Sequence, residues 1–469
     1  MLRKLRIKNF KGWKDTGTID LAPVTVLFGS NSSGKSSIGQ FLVMLKQTVR
    51  QSDRKTVLLL NGPQASVDLG SVTDVFYDHN INEKISFELK WDTDFESQIE
   101  NGEEKQDFNQ IDFKANIKVS DAETQYLEVE SFNYSLFENE VSRLTVGMKK
   151  ETAESGTRSY KLESNKQFKR IKGRGWKLTE PVKFYGFSDA ALSYYKDSDF
   201  LQDLNLHQEE FFSKFYYLGP MRIKSKRTYS WSGVNPESVG DSGENTIAAM
   251  LSARKLDKQL KFHNTRYKPF EVVISESLKK MGLIDEYKIE KIGERQEYEV
   301  KVRIKGSERF VGLPDVGFGV SQVLPVIVQL FYAPDNSVIF IEQPEIHLHP
   351  NAQALLADVI LDAINMNENG KKRRIQVIIE THSEHLLRRL QRRIAEEKVS
   401  DSDIKAYFAE NNRKYSKLNK LEVDKYGNIL NWPDGFFGDM EKDMYEQAMM
   451  AINRRIKEEM KDTDEKDNS

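Results

Sequence analysis

The chain of 469 residues contains no cysteine. Disulfide bonds are therefore excluded, and so is any metal centre built on thiolates. No run of about 18 apolar residues occurs, so no membrane-spanning helix is expected. The start, Met1-Leu2-Arg3-Lys4-Leu5-Arg6-Ile7, is basic but lacks the apolar stretch of a secretory signal. Charge of one sign is missing too: 70 Lys and Arg stand against 72 Asp and Glu, a net of −2. That excludes a globally basic field for nucleic acid and leaves only local patches. What remains is a large soluble protein, expected in the cytoplasm, long enough for about three domains and a sizeable core.

Against these absences stands one complete motif, Gly29-Ser30-Asn31-Ser32-Ser33-Gly34-Lys35-Ser36, followed by Ser37. Its glycines let the backbone curl so that successive amides point at one anion. Lys35 supplies a point charge for β- and γ-phosphates, and Ser36 a hydroxyl for Mg²⁺. The flanks fit. Val24-Thr25-Val26-Leu27-Phe28 reads as a buried strand, and Ile38, Phe41, Leu42, Leu45 and Val49 recur at helical spacing. A helix N-terminus is thereby aimed at the phosphates.

Two further strand ends carry polar residues. Val338-Ile339-Phe340-Ile341 runs into Glu342-Gln343-Pro344-Glu345-Ile346-His347-Leu348-His349-Pro350. An acid at the tip of an apolar strand is where a Walker B carboxylate holds the magnesium shell, so Ser36 and Glu342 are the expected metal residues. A helix follows, with Pro350 in its first turn. Ile375-Gln376-Val377-Ile378-Ile379 ends in Glu380-Thr381-His382-Ser383, which aims His382 into the crevice at the carboxyl edge of an α/β sheet. Between these strands and the first lies Gly317-Phe318-Gly319-Val320-Ser321-Gln322. It reads as a turn opening an apolar helix over Val323 to Phe331, with Pro325 in the first turn and Ser321 as cap.

In this order the motifs resemble an ABC-class ATPase of the RecF/SMC/OLD group, and within it the ATPases of bacterial anti-phage systems such as PARIS and Septu. The Glu-Gln-Pro-Glu-x-His-Leu-His-Pro run and Glu380-Thr381-His382-Ser383 are the most specific elements. Leu5 to Gly12, Val67 to Ser71, Tyr217 to Arg222 and Asn431 to Phe437 resemble shorter ones. The resemblance implies ATP and Mg²⁺ as ligands. It implies a homo-oligomer with shared ATP sites, in which Gly319 and Ser321 act as a signature on ATP held by another copy. His382 becomes a γ-phosphate switch and Glu342 the Walker B acid. The slot after that acid, usually Glu, holds Gln343, which can orient a water but not take its proton. Either Glu345 reaches the water, the preferred reading, or hydrolysis is slow. No Q-loop glutamine stands out; Gln64 is the nearest.

The expected organisation is an ABC-type P-loop ATPase head, α/β with a mixed sheet flanked by helices, interrupted by a β-rich insert. Residues 1–80 carry the Walker A half and 211–400 the signature, Walker B and switch histidine. Residues 81–210 alternate as in Ile85-Ser86-Phe87-Glu88-Leu89 and show no sustained heptads, so they form a β-rich lobe and not a coiled-coil arm. Helix is expected over Val272 to Leu283 and strand over Tyr298 to Ile304. Residues 401–469 hold a strand pair near Asn411–Ile429 and a helix with Met440, Met444, Ala448, Ile452, Ile456 and Met460 on one stripe.

Three features allow two readings each. Lys166 to Lys177 mixes basic and aromatic residues, as a nucleic-acid strand or a solvated hairpin tip would require. Arg388, Arg389, Arg392 and Arg393 make either a DNA contact or a charged solvent face. His347, His349, His382 and His385 resemble a zinc cluster, but ATPase roles explain them better. The expected function is an ATPase that acts as sensor or motor of a defence complex with a separate effector, a TOPRIM- or HNH-type nuclease. A RecF-like repair ATPase on DNA and a non-hydrolysing scaffold are the alternatives.

Overall fold

The computed structural model describes residues 1–97, 106–121, 123–152, 158–171, 177–196, 198–262, 265–411, 415–433, 445–452 and 454. Its centre is a six-stranded sheet in the order Phe215–Leu218, Ser337–Glu342, Ile375–Glu380, Val24–Gly29, Ile404–Asn411, Ser416–Leu421. The first five strands are parallel, and the last returns antiparallel. Strands buried on both faces read as unbroken apolar runs, and every residue of Ser337–Glu342 and Ile375–Glu380 is buried.

Alternate residues of these strands feed two cores. Leu27, Val338, Phe340 and Ile378 face the helix Lys35–Arg50 and the β-rich lobe. Val24, Val26, Ile339, Ile341, Val377 and Ile379 face the helices Phe318–Tyr332, Pro350–Ile364 and Glu384–Ala395. The fit is tight: a Cβ on Gly39 would lie 2.1 Å from the Phe340 ring, so the P-loop helix presses directly on the strand that ends in Glu342.

The β-rich lobe is an eight-stranded antiparallel sheet. Leu2–Phe10 pairs with Trp13–Asp15, Ile19–Asp20 and Ile85–Ser97. The sheet then continues through Gln106–Val119, Leu127–Glu138, Val141–Thr152 and Arg158–Ser164. Its inner face packs Phe87, Phe113, Phe132 and Tyr134 with Phe184 and Phe187 at ring distances of 4.7 to 6.2 Å. The longest helix among the described residues is Lys35–Arg50, 16 residues, so no long coiled coil interrupts the head. No helix among the described residues is long and apolar enough to cross a membrane.

Some expected boundaries shift. The helix expected over 272–283 is Phe270–Lys280, and the strand expected over 298–304 is Glu297–Arg303. The signature helix starts at Phe318, capped by Gly317, so Pro325 lies in its interior and not in its first turn. Ser321 is not its cap; its hydroxyl donates back to Phe318 O at 2.9 Å. The amide lost at Pro325 would have bonded the Ser321 carbonyl, and its ring packs against Gly243, where a Cβ would meet it at 2.7 Å. The strand pair expected near 411–429 begins earlier, at Ile404, and closes with a Val423–Ile429 bridge.

The basic helix Glu384–Ala395 spends its charge on acids. Arg389 and Arg393 both clamp the buried Asp358, and Arg388 and Arg392 pair with Glu384 and Glu396. Burial alone would raise the Asp358 carboxyl, but the hydrogen bonds from Arg393 and Arg389 hold it down to about 2. Met440, Met444, Ile456 and Met460, and residues 172–176 of the basic stretch, lie outside the described residues.

Candidate functional site

At the carboxyl edge of the parallel sheet the P-loop opens a cleft of about 670 Å³, within the usual range for small-molecule sites. Residues Asn31 to Ser37 line it, together with Gln343, Glu380 and His382. Gly29 has a φ of 144°, and a Cβ there would lie 2.2 Å from Ala409 O on the neighbouring strand, so only glycine lets the loop leave the sheet at this point. Gly34, with φ 90°, caps Lys35–Arg50, and the free amides of that first turn open toward the cleft. Lys35 is 3% exposed; its ammonium donates to Gly29 O at 2.9 Å and Ser30 O at 2.7 Å. Burial pushes its pKa down, while Glu380 and Glu345 oppose the shift.

Glu342 and Glu380 are register partners at the tips of adjacent strands. Ser36 Oγ donates to Glu380 Oε1 at 2.8 Å. Glu342 instead accepts from the Tyr217 hydroxyl at 2.9 Å, and Arg222 donates to the Glu342 carbonyl at 2.8 Å. Burial first, and the Glu380 charge second, push the Glu342 carboxyl up to about 7. Burial also raises Glu380, against the Ser36 hydrogen bond and the Lys35 charge.

Gln343 adopts the left-handed region at φ 44°, and its amide donates to Glu380 O at 2.7 Å. That turn delivers the Gln343 side chain to the cleft. Glu345 is buried at 8% exposure and does not line the cleft; its Oε1 accepts from the His382 amide at 2.8 Å. Burial and the Lys35 charge lower the His382 pKa, while a hydrogen bond to the Gly29 backbone raises it. The net downward shift favours the neutral imidazole.

These groups fit a nucleotide with its magnesium. Glu380 Oε2 and Glu345 Oε2 are buried with no hydrogen-bond partner. A hydroxyl and carboxylates are the hard oxygen donors Mg²⁺ takes. Among the described residues no group of three or more His, Asp or Glu is arranged to hold a metal alone, the histidines included. Mg²⁺ commonly completes its shell from phosphate and water.

The remaining expected residues lie elsewhere. Gly319 and Ser321 do not line the cleft; Phe318 beside them is 63% exposed, 6.0 Å from the His347 ring. His349 caps Pro350–Ile364, its ring accepting from the Asn351 amide. Gln64 is absent from the cleft, whose wall at that side is Tyr77 and Asp78. Asp78 and His79 hold φ values of 53° and 54°, two consecutive strained residues of the kind that gather at functional sites.

Sequence reading also left out Lys11, Asn411, Tyr415 and Ser416, which line the cleft as well, Asn411 and Ser416 standing directly against the loop at Ser32 and Gly34. Asn411, Tyr415 and Ser416 come from the 404–421 hairpin, laid beside the P-loop strand by parallel pairing. No local motif marks them. Glu380 was in plain view in its motif, but nothing local showed that Ser36 would bond to it.

A family profile described as AAA ATPase domain matches residues 1–387, and one described as a protein of unknown function (DUF3696) matches residues 399–447. Among solved structures, the chain is similar to an SMC head bound to the C-winged helix domain of ScpA. They share 12% identity over 91% of this chain and 99% of that one, at a TM-score of 0.43. It is also similar to the SMC head domain from Thermotoga maritima, at 11% identity over 90% and 99% of the two chains and a TM-score of 0.38. A third is the Smc head with an extended coiled coil bound to the C-terminal domain of ScpA, derived from Pyrococcus furiosus. There the identity is 12% over 90% and 97%, and the TM-score 0.39. No curated protein sequence matches the chain. With a P-loop opening onto a parallel sheet, and a profile covering all but the C-terminal part, the chain belongs to the AAA ATPase domain family.

Proposed function

We propose that the chain binds and hydrolyses ATP at sites shared between two copies. The observation that carries this reading is the division of the site. Lys35, Ser36, Gln343, Glu380 and His382 converge on one cleft, while Gly319 and Ser321 stand at an exposed helix start that does not line it. In this reading the amides of Gly34 to Ser36 and the Lys35 ammonium hold the β- and γ-phosphates. Ser36 and a strand-end carboxylate hold Mg²⁺, which when bound neutralises phosphate charge. His382, neutral, donates to the γ-phosphate. Gln343 orients the attacking water, and Glu345 fixes the His382 turn through its amide. Ser321 and Gly319 of a second copy supply the last donors to the γ-phosphate. Mixing Lys35→Ala chains with Ser321→Arg chains should therefore restore part of the ATPase activity that each lacks alone, because one mixed interface keeps both intact halves. No recovery in a mixture shown to contain hetero-oligomers would refute shared sites.

The same reading makes the chain the nucleotide-driven subunit of a bacterial anti-phage complex whose effector, a TOPRIM- or HNH-type nuclease, is a separate protein. Two things support a separate effector. The described residues after Ser400 join the ATPase sheet as the hairpin Ile404–Leu421 and build no second sheet. Two of their acids are used locally: Glu410 accepts from Asn419, and Asp424 holds its own turn through Tyr426 and Asn428. Two-metal nuclease chemistry needs several carboxylates on rigid strands around ions about 3.5–4 Å apart. The purified chain is expected to hydrolyse ATP and to cut neither DNA nor RNA in Mg²⁺ or Mn²⁺. Cleavage kept in Lys35→Ala but lost in Glu422→Ala or Asp424→Ala would overturn this.

A further inference from the structure

We infer that Glu380, at the end of the strand before the switch histidine, is the carboxylate that binds the nucleotide's Mg²⁺, and that Glu342 is a positioning residue behind it. The inference rests on the ATPase reading above and refines its metal site.

The geometry starts from Ser36, whose hydroxyl is the metal's protein anchor in a phosphate-binding loop. Mg²⁺ holds octahedral oxygen ligands at 2.0–2.1 Å, so two neighbouring ligands of one ion lie about 2.8–3.0 Å apart. Ser36 Oγ and Glu380 Oε1 are 2.8 Å apart. That is also an ordinary O–H···O distance, so the present hydrogen bond already holds the two oxygens at the spacing of one octahedron edge, and the hydroxyl proton would turn aside for both to meet one ion. Glu380 lines the cleft, and its second oxygen is buried without a partner. An unpaired buried carboxylate oxygen is costly unless a cation or donor arrives. Lys35 does not fill that role, because its donated bonds go to Gly29 O, Ser30 O and Ser33 Oγ.

Glu342 offers a contrasting environment. It is absent from the cleft lining, its Oε1 accepts from Tyr217, and its carbonyl is held by Arg222. Tyr217 thus holds one oxygen of its carboxylate, and Arg222 its backbone carbonyl. Its carboxyl is left to set the Tyr217 ring, which stacks on Phe340 at 6.3 Å; the residue stands in register with Glu380 on the neighbouring strand. The arrangement inverts the expectation drawn from the strand-end motif alone, in which Glu342 was the metal acid.

The test measures binding, not turnover. Affinity for the β,γ-imido analogue of ATP is determined by calorimetry with Mg²⁺ and with EDTA, for the wild type, Glu380→Gln and Glu342→Gln. Affinity in EDTA serves as the check that each variant is folded. Glu380→Gln should lose the strengthening by Mg²⁺, at least about tenfold more of it than Glu342→Gln loses. Because the chain has no cysteine, Glu380→Cys introduces a single thiolate, and thiolates prefer soft metals. Cd²⁺ should restore metal-strengthened binding to Glu380→Cys where Mg²⁺ does not, and should fail to do so for Glu342→Cys. Equal or greater loss in Glu342→Gln, or Cd²⁺ rescue of Glu342→Cys, would overturn the assignment. A wild-type chain that binds the analogue in neither condition would instead refute the ATPase reading itself.

Discussion

Lys35→Ala is expected to lower ATP affinity by at least about tenfold. The ammonium belongs to the loop itself, is 3% exposed, and is held by two loop carbonyls, so little rotamer freedom is left to lose when it turns to phosphate. A hydrogen bond to a charged group is worth about 1.5–3 kcal/mol, and 1.4 kcal/mol is a decade in affinity. The loss should exceed that floor for two reasons. The charge acts in a cleft closed on one side by a buried sheet, where screening is weak. Removing the ammonium also frees the Gly29 and Ser30 carbonyls, which loosens the curl that aims the amides. Calorimetric titration with ATP is the check, and unchanged binding would remove the phosphate-binding assignment altogether.

Gln343→Glu should raise turnover on the order of 10²-fold, the lower end of what a positioned general base contributes. Gln343 is delivered to the cleft by its left-handed backbone and by its amide bond to Glu380 O. A carboxylate in the same place gains the ability to take the proton of the water it orients. The added charge stands near Glu380 and Glu342, so the comparison must be made at saturating Mg²⁺. Glu345 is the alternative base. It is buried and committed to the His382 amide, which suits a positioning role better. If Gln343→Glu leaves single-turnover hydrolysis unchanged while Glu345→Gln abolishes it with ATP still bound, Glu345 is the base.

Much of this site was readable in the chain because parallel strands buried on both faces leave nearly unbroken apolar runs, two of which end in a glutamate and the third in the loop glycine Gly29. Val24–Gly29, Ser337–Glu342 and Ile375–Glu380 were legible for that reason. The β-rich lobe was legible from its period-two alternation. Partnership was not legible. Nothing near Ser36 announces Glu380, 344 residues away, because strand order and register are set by the whole sheet. Part of the lining was hidden for the same reason: Asn411, Tyr415 and Ser416 have no motif, and only the pairing of Ile404–Asn411 with Val24–Gly29 brings them to the cleft. The signature helix was read five residues short at its start, since Gly317 to Gln322 has the composition of a turn yet only Gly317 stays outside the helix.

The position of the P-loop strand bears on how the chain is made. Val24–Gly29 takes both of its hydrogen-bonded neighbours from Ile375–Glu380 and Ile404–Asn411. When it leaves the ribosome, the strand therefore has no partner, and at about 5–20 residues per second it waits roughly 20–70 s for the first one. Throughout that time a largely apolar segment with open backbone groups is exposed on the growing chain, a hazard for pairing with other chains. Leu2–Phe10, in contrast, meets Ile85–Ser97 within seconds, so the β-rich lobe can be complete while the catalytic sheet is still open. Nascent chains of this protein should therefore lean on chaperones until the late strands emerge, and ATP can protect only those that have reached them.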